Sequence, residues 1–234
     1  MDNQQLFNQF LNFNTSYQSL SGTLPQQDYT YIKTEPGQGF YTWIDYNNNG
    51  IQDLEEFQVA AFIDQAKYVR IFLPNQVYLK THQNKFSLSV TLNPSIWQNE
   101  KGIKKFCSYF YNQTSFLIDR KIIRDSDNFD LNPFSNNDLN LLGLNSSFRN
   151  SLFFNRGKQK HSTTYTYVTS RTRNLLSIGL LESENKSHQL QYLHLLDKSW
   201  LLNFSSKSIF SAVFSENYVA RNFVIKGYQL MPKI

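Results

Sequence analysis

Lys85-Phe86-Ser87-Leu88-Ser89-Val90-Thr91-Leu92 alternates apolar and polar side chains without a break. Phe86, Leu88, Val90 and Leu92 fall on one side, and Lys85, Ser87, Ser89 and Thr91 on the other, until Pro94 stops the run. A two-residue period of this kind predicts a strand with one apolar face. The same pattern recurs towards the C-terminus, through Phe106 to Ile118, Ser147 to Asn155, Thr163 to Thr169, Ser187 to Leu196, Ser199 to Lys207 and Val219 to Leu230. The links are short and polar: Asp197-Lys198 is predicted to turn a tight hairpin, and Gly157 sits in another. Asp125 to Asp138 forms a longer acidic, Asn-rich link. Strands of about ten residues joined this closely must run antiparallel, as a meander in a large sheet or barrel.

Towards the N-terminus the pattern loosens. Phe10, Phe13 and Tyr17 have three- and four-residue spacing, which predicts a short helix somewhere in residues 1–35. Phe57 to Ala66 is predicted to be one helical stretch, and Tyr68 to Leu73 a strand ending at Pro74. The predicted fold class is therefore mainly β: an antiparallel meander, either a partial outer-membrane-type barrel or a large open sheet, with little helix. Residues 1–75 form the N-terminal segment of this plan, and 76–234 the strand region.

Composition agrees with long strands. The 234 residues include 20 Phe and 14 Tyr but only 9 Gly and 6 Pro, which disfavours disorder and favours aromatic sheet faces. Mean hydropathy is −0.48, and no stretch approaches the roughly 20 apolar residues of a membrane-spanning helix. Spanning strands remain compatible, because their alternation cancels in a hydropathy average. The charge of +5 is mild and the cations are scattered along the sequence, apart from Arg156-Gly157-Lys158-Gln159-Lys160 and Arg171-Thr172-Arg173. These read as a solvated turn and a strand end, and no nucleic-acid partner is expected. A single Cys107 excludes an intramolecular disulfide. Met1 to Gln5 lacks the basic and apolar regions of an export signal, so none is expected within the chain.

The chemistry is concentrated in Asp45-Tyr46-Asn47-Asn48-Asn49-Gly50-Ile51-Gln52-Asp53-Leu54-Glu55-Glu56. This is D-x-N-x-N-G-x5-E, the ligand spacing of a calcium-binding loop. Asp45, Asn47 and Asn49 offer side-chain oxygens at alternate positions, and Gly50 permits the bend that follows. Beyond it the Ile51 carbonyl, Asp53 and Glu56 complete an oxygen set for Ca2+, with Glu56 closing it as a bidentate carboxylate. The alternative is a polar turn in an Asn-rich chain. Phe40-Tyr41-Thr42-Trp43-Ile44 reads as a strand entering the loop, so the flanks are not those of a helix-loop-helix hand. Gln52 stands where paired hands place an apolar residue, and the chain holds no second loop. A solitary structural site is expected, with affinity on the order of 0.1–1 mM.

Other constellations point nowhere. Asp125, Asp127 and Asp130 lack a Gly bend and a closing Glu. His188 and His194 share a strand face but lie roughly 20 Å apart, and His82 and His161 have no ligand partner at useful spacing. No nucleophile elbow, metalloprotease helix, phosphate loop or dinucleotide fingerprint occurs. No enzymatic activity is expected.

Gly37 to Phe57, continued by Asp64 to Arg70, resembles a segment of large cell-surface and outer-membrane proteins of Bacteroidota, and the W-x-D-x-N-x-N-G-I-Q-D-x-x-E core resembles the calcium loop of SdrD-type B domains of bacterial adhesins. Phe106 to Lys121, Arg149 to Arg156, Thr164 to Arg173, Ser187 to Leu190 and Tyr228 to Lys233 are similar to the strand region of the same large proteins. Such proteins are several times longer, so the resemblance implies an internal segment. It also implies a bacterial outer-membrane or cell-surface location, with lipid or the remaining barrel strands as partners. The expected function is structural or transport-related and non-catalytic. The alternative is a secreted calcium-binding β-sandwich that binds glycan or protein.

Overall fold

The computed structural model describes residues 2–6, 10–124, 131–135, 140–158, 160–176, 179–196, 200–216 and 219–233. Among these the strands, in chain order, are β1 (Asp2–Leu6), β2 (Leu11–Lys33), β3 (Tyr41–Trp43), β4 (Phe57–Val59), β5 (Tyr68–Leu92), β6 (Phe110–Ile123), β7 (Leu141–Phe154), β8 (His161–Leu176), β9 (Gly179–Leu196), β10 (Trp200–Ser215) and β11 (Phe223–Lys233). One five-residue helix, α1 (Ile103–Cys107), interrupts them. The strands form a single antiparallel meander in the order β1-β2-β5-β6-β7-β8-β9-β10-β11, open at β1 and β11. The chain is thus mainly β, as the alternation predicts, and the sheet does not close into a barrel.

Two compact units divide the contacts: residues 1–22 with 81–234, and residues 23–80. A cut at residue 75 places the first 22 residues with the loop segment. In the structure they belong to the long sheet: the Thr15 hydroxyl donates to the Ser87 carbonyl, and the Ser16 and Ser87 hydroxyls bond at 2.7 Å.

Three local expectations are corrected. The helix expected within residues 1–35 is absent from the described residues, where β2 runs for 23 residues; Asn, Thr and Ser are poor helix formers, and a neighbouring strand offers them a ladder instead. Phe57 to Ala66 is not one helix but β4 followed by a 3₁₀ turn at Ile63–Gln65. Phe57 pairs with Trp43 and stacks on Tyr31 with ring centroids 4.0 Å apart, so tertiary packing overrides local propensity. Finally, β5 does not end at Pro74 but continues to Leu92. Its pairing with β6 covers only Thr81 to Leu92. Pro74 therefore lies where the β6 side of the strand makes no described ladder, the setting in which a strand tolerates a missing N–H.

Register assigns every side chain to a face. One cross-strand row runs Leu88, Phe116, Phe148, Thr169, Lys186, Phe210, Lys226, the next on that face runs Val90, Thr114, Asn150, Tyr167, His188, Ser208, Tyr228, and the one after it Leu92, Asn112, Leu152, Tyr165, Leu190, Ser206, Leu230. The opposite face carries Ser87, Leu117, Ser147, Ser170, Asn185, Ser211, Ile225, and Thr91, Gln113, Ser151, Thr166, Gln189, Lys207, Gln229. One face is rich in aromatic and aliphatic groups, the other in hydroxyls and amides. Charges on the aromatic face pair locally: Arg173 with Glu182 at 3.1 Å and Lys186 with Glu184 at 2.7 Å. Asp197-Lys198, the predicted hairpin turn, lies outside the described residues, but the strands on either side pair as expected, with Trp200 opposite Leu196.

Fully buried apolar residues are few: Ala66, Tyr68, Leu141 and Leu142 among those described. Tyr228 (85% exposed) and Leu230 (67%) stand out on the edge strand β11. A sheet that buries so little of its own apolar surface, with two open edges, is a template for association. Expressed alone in plain buffer, residues 1–234 should sediment as oligomers or require detergent. A monodisperse monomer with one sharp unfolding transition would contradict this.

Candidate metal centre

The loop from Asp45 to Glu56 joins β3 to β4, which pair as a short hairpin with Trp43 opposite Phe57. Its two ends are tied together where the Ile44 N–H donates to the Glu56 carbonyl at 3.0 Å. The flanks are therefore strands, as expected, and the exit is a 3₁₀ turn at Leu54–Glu56. Upstream, Gly39 lies directly against β5: a Cβ there would stand 2.5 Å from the Tyr68 nitrogen and 2.8 Å from the Ala66 carbonyl. Only glycine permits that approach, and it holds β3 beside the start of β5.

Within the loop the side chains turn back on the backbone. Asp45 accepts from the Asn49 N–H (Oδ1, 3.2 Å) and the Gly50 N–H (Oδ2, 2.9 Å). The Asn47 Oδ1 accepts from the Asn49 N–H at 2.9 Å, and the Asn49 Oδ1 from the Ile51 N–H at 2.6 Å. These Asx-type bonds build the bend, with Asn48 at φ 57° and Gly50 at φ 70° in the left-handed region. Asn47 and Asn49 both donate their amide Nδ2 to the Asp53 Oδ2, at 3.3 and 3.4 Å. The Ile51 carbonyl accepts from the Asp53 N–H at 3.1 Å. Asp45, Asn47, Asn49, Ile51 and Asp53 are thus gathered by direct hydrogen bonds.

Glu56 is the exceptional member. It is only 4% exposed; its Oε2 accepts from the Trp43 indole at 2.8 Å, while its Oε1 is buried with no hydrogen-bond partner. Burying an ionised carboxylate with one oxygen unsatisfied is costly, and such an atom calls for a cation or a proton. The surroundings add to the demand. Residues 45–56 contain Asp45, Asp53, Glu55 and Glu56 and no Lys or Arg, although the chain as a whole is at +5. Every oxygen that already accepts one hydrogen bond keeps a second lone pair. The residues present therefore fit a hard, oxygen-seeking cation. Counted by His, Cys, Asp and Glu alone, no cluster of three occurs among the described residues; the set here includes two asparagine amides and one backbone carbonyl.

Two supporting residues lie outside the set of oxygen donors. Trp43 holds Glu56 from the strand before the loop. Gln52 donates to the hydroxyl of the buried Tyr68 at 2.8 Å, which ties the loop to β5 and accounts for a polar residue there. Behind them Arg70 lies 4.6 Å over the Tyr29 ring and 5.0 Å over the Tyr41 ring, and Tyr31, Phe57 and Tyr68 pack successively. This aromatic cluster is what the strands of the loop unit pack around.

Elsewhere, His161 sits opposite His194, with ring centroids 6.4 Å apart, a cross-strand pair that linear spacing conceals. His188 bonds the Tyr165 hydroxyl, and the buried His82 contacts the hydroxyls of Ser19 and Ser21. Asp125, Asp127 and Asp130 lie outside the described residues.

Comparison with known families, with curated proteins and with solved structures found no match in any of the three.

Trp43→Phe removes the one hydrogen-bond donor to the Glu56 carboxylate and leaves both of its oxygens buried without a partner. The loop unit should lose about 1–3 kcal/mol of stability, read by chemical denaturation in metal-free buffer. An unchanged midpoint would show that the indole does not support Glu56.

Proposed function

We propose that this chain is a calcium-braced, non-catalytic segment of a bacterial outer-membrane or cell-surface β-protein, with a structural or transport-related role. The observation that carries the calcium assignment is the buried, unpartnered Glu56 Oε1 at the end of a loop that gathers Asp45, Asn47, Asn49, the Ile51 carbonyl and Asp53. A bound ion supplies the positive charge that this carboxylate lacks. Because the loop is a hairpin connection, the ion braces β3 against β4 and does not move helices as a switching sensor does.

The membrane side of the reading is supported by strand length and by the two faces. Strands β6 to β10 are 14 to 18 residues long, more than the roughly 9–11 residues with which a tilted strand crosses a bilayer. A wall with hydroxyls and amides on one face and aromatic and aliphatic groups on the other suits a lumen and a lipid boundary. A secreted sandwich needs a second sheet packed on the first, whereas the described strands belong to one.

Calorimetric titration of the full chain with CaCl2 should give a single site of about 0.1–1 mM affinity. At 10 mM Ca2+ the loop unit should gain about 1–3 kcal/mol, and Glu56→Gln should weaken binding at least tenfold. Absence of calcium heat and of any stabilisation at 10 mM would end the assignment.

A further inference from the structure

The end of the sheet where β5 meets β6 and β7 meets β8 has a character that the linear sequence disguises. Residues 93–109 connect β5 to β6, and residues 155–160 connect β7 to β8. The Asn155 N–H donates to the Tyr109 carbonyl at 2.8 Å, and the Arg156 guanidinium lies 4.1 Å over the Tyr111 ring, so the two connections form one surface. Between them is a polar cleft of about 300 Å³, lined in part by Gln98, Tyr109, Arg156 and Lys158. Lys160 continues this surface to β9, its carbonyl accepting from the Leu195 N–H at 3.0 Å.

These connections hold Lys101, Lys104, Lys105, Arg156, Lys158 and Lys160 against the single acid Glu100, a net of +5. The whole chain carries 23 cations and 18 acids, so the remainder holds 17 of each and is neutral. All of the excess charge is therefore at one end of one sheet. All six cations are exposed, and among the described residues none is in an ion pair. Large apolar groups stand out among them: Ile103 is 81% exposed, Phe106 57% and, on the neighbouring start of β10, Trp200 62%. Exposed cations interleaved with exposed aliphatic and aromatic side chains suit the boundary of an anionic bilayer, where lysines meet phosphates and the apolar groups enter the acyl layer. A nucleic acid would use the cations but leave Ile103 in water.

We infer that this end of the sheet docks on the headgroup layer of a membrane rich in anionic phospholipid. The inference stands on charge and exposure here and does not depend on the calcium loop. The test uses the full chain in a neutral maltoside detergent, with an environment-sensitive fluorophore on Cys107, the single cysteine and the last residue of α1. Phosphatidylglycerol and phosphatidylcholine are titrated into the micelles, and the ratio of the two half-saturation concentrations is read. Phosphatidylglycerol should be preferred at low salt, with about a fivefold loss of preference for each of Lys101→Gln, Lys104→Gln and Lys105→Gln. Salt at 0.5 M should erase it. Equal response to the two lipids, or a preference untouched by the triple variant, would overturn the inference. Tighter binding of a 20-nucleotide single strand than of phosphatidylglycerol would also overturn it, in favour of a nucleic-acid surface.

Discussion

The unbroken antiparallel ladder is the constraint on which everything else depends. Along the described ladders from Thr81–Leu92 of β5 to β11, each paired residue has a defined opposite number, with one irregularity at Lys121/Ile122. Each opposed pair contributes only about 0.2–1 kcal/mol, but the pairs also decide which side chains share a face. Because side chains alternate strictly, a slip of one residue in any strand would move Phe116 or Phe148 to the face of Ser115 and Ser147. The hydroxyl face and the aromatic face exist only because all the registers agree.

A ladder alone does not bury apolar surface. Most of the aromatic and aliphatic groups sorted onto one face are only partly buried, and β11 presents both its faces and its outer edge. This is the physical ground for reading the chain as a wall that needs lipid or further strands beside it. The loop unit differs. It packs Tyr31, Phe57 and Tyr68 closely and brings β3 onto β5 through Gly39, which makes a firm base for a loop that concentrates negative charge. The basic end and the acidic loop thus share one feature: each gathers like charges along a connection outside the ladder.

The metal motif was visible before the fold because its ligand order is a linear pattern, fixed by the reach of one twelve-residue loop from Asp45 to Glu56. That the flanks are strands was equally legible from Phe40 to Ile44, whose β-branched and aromatic residues dominate their own conformation. Phe57 to Ala66 reads as a helix locally, yet the partner that overrides it, Tyr31, is 26 residues away from Phe57. Likewise Phe10, Phe13 and Tyr17 have helical spacing, and only the bonds of Thr15 and Ser16 with Ser87 select the strand.

The sequence by itself therefore determined what depends on period and local spacing: the β class, the antiparallel order of strands joined by short links, and the spacing of oxygen-bearing residues from Asp45 to Glu56. Only the tertiary structure decided what depends on residues distant along the chain. It left the sheet open, placed Trp43 on one Glu56 oxygen and nothing on the other, and gave Gln52 its partner in Tyr68. It also collected six cations from two separate connections into one surface. The reason is common to all four: a hydrogen bond or a charge cluster is a property of positions in space, and no pattern of spacing along a strand reports which other strand lies beside it.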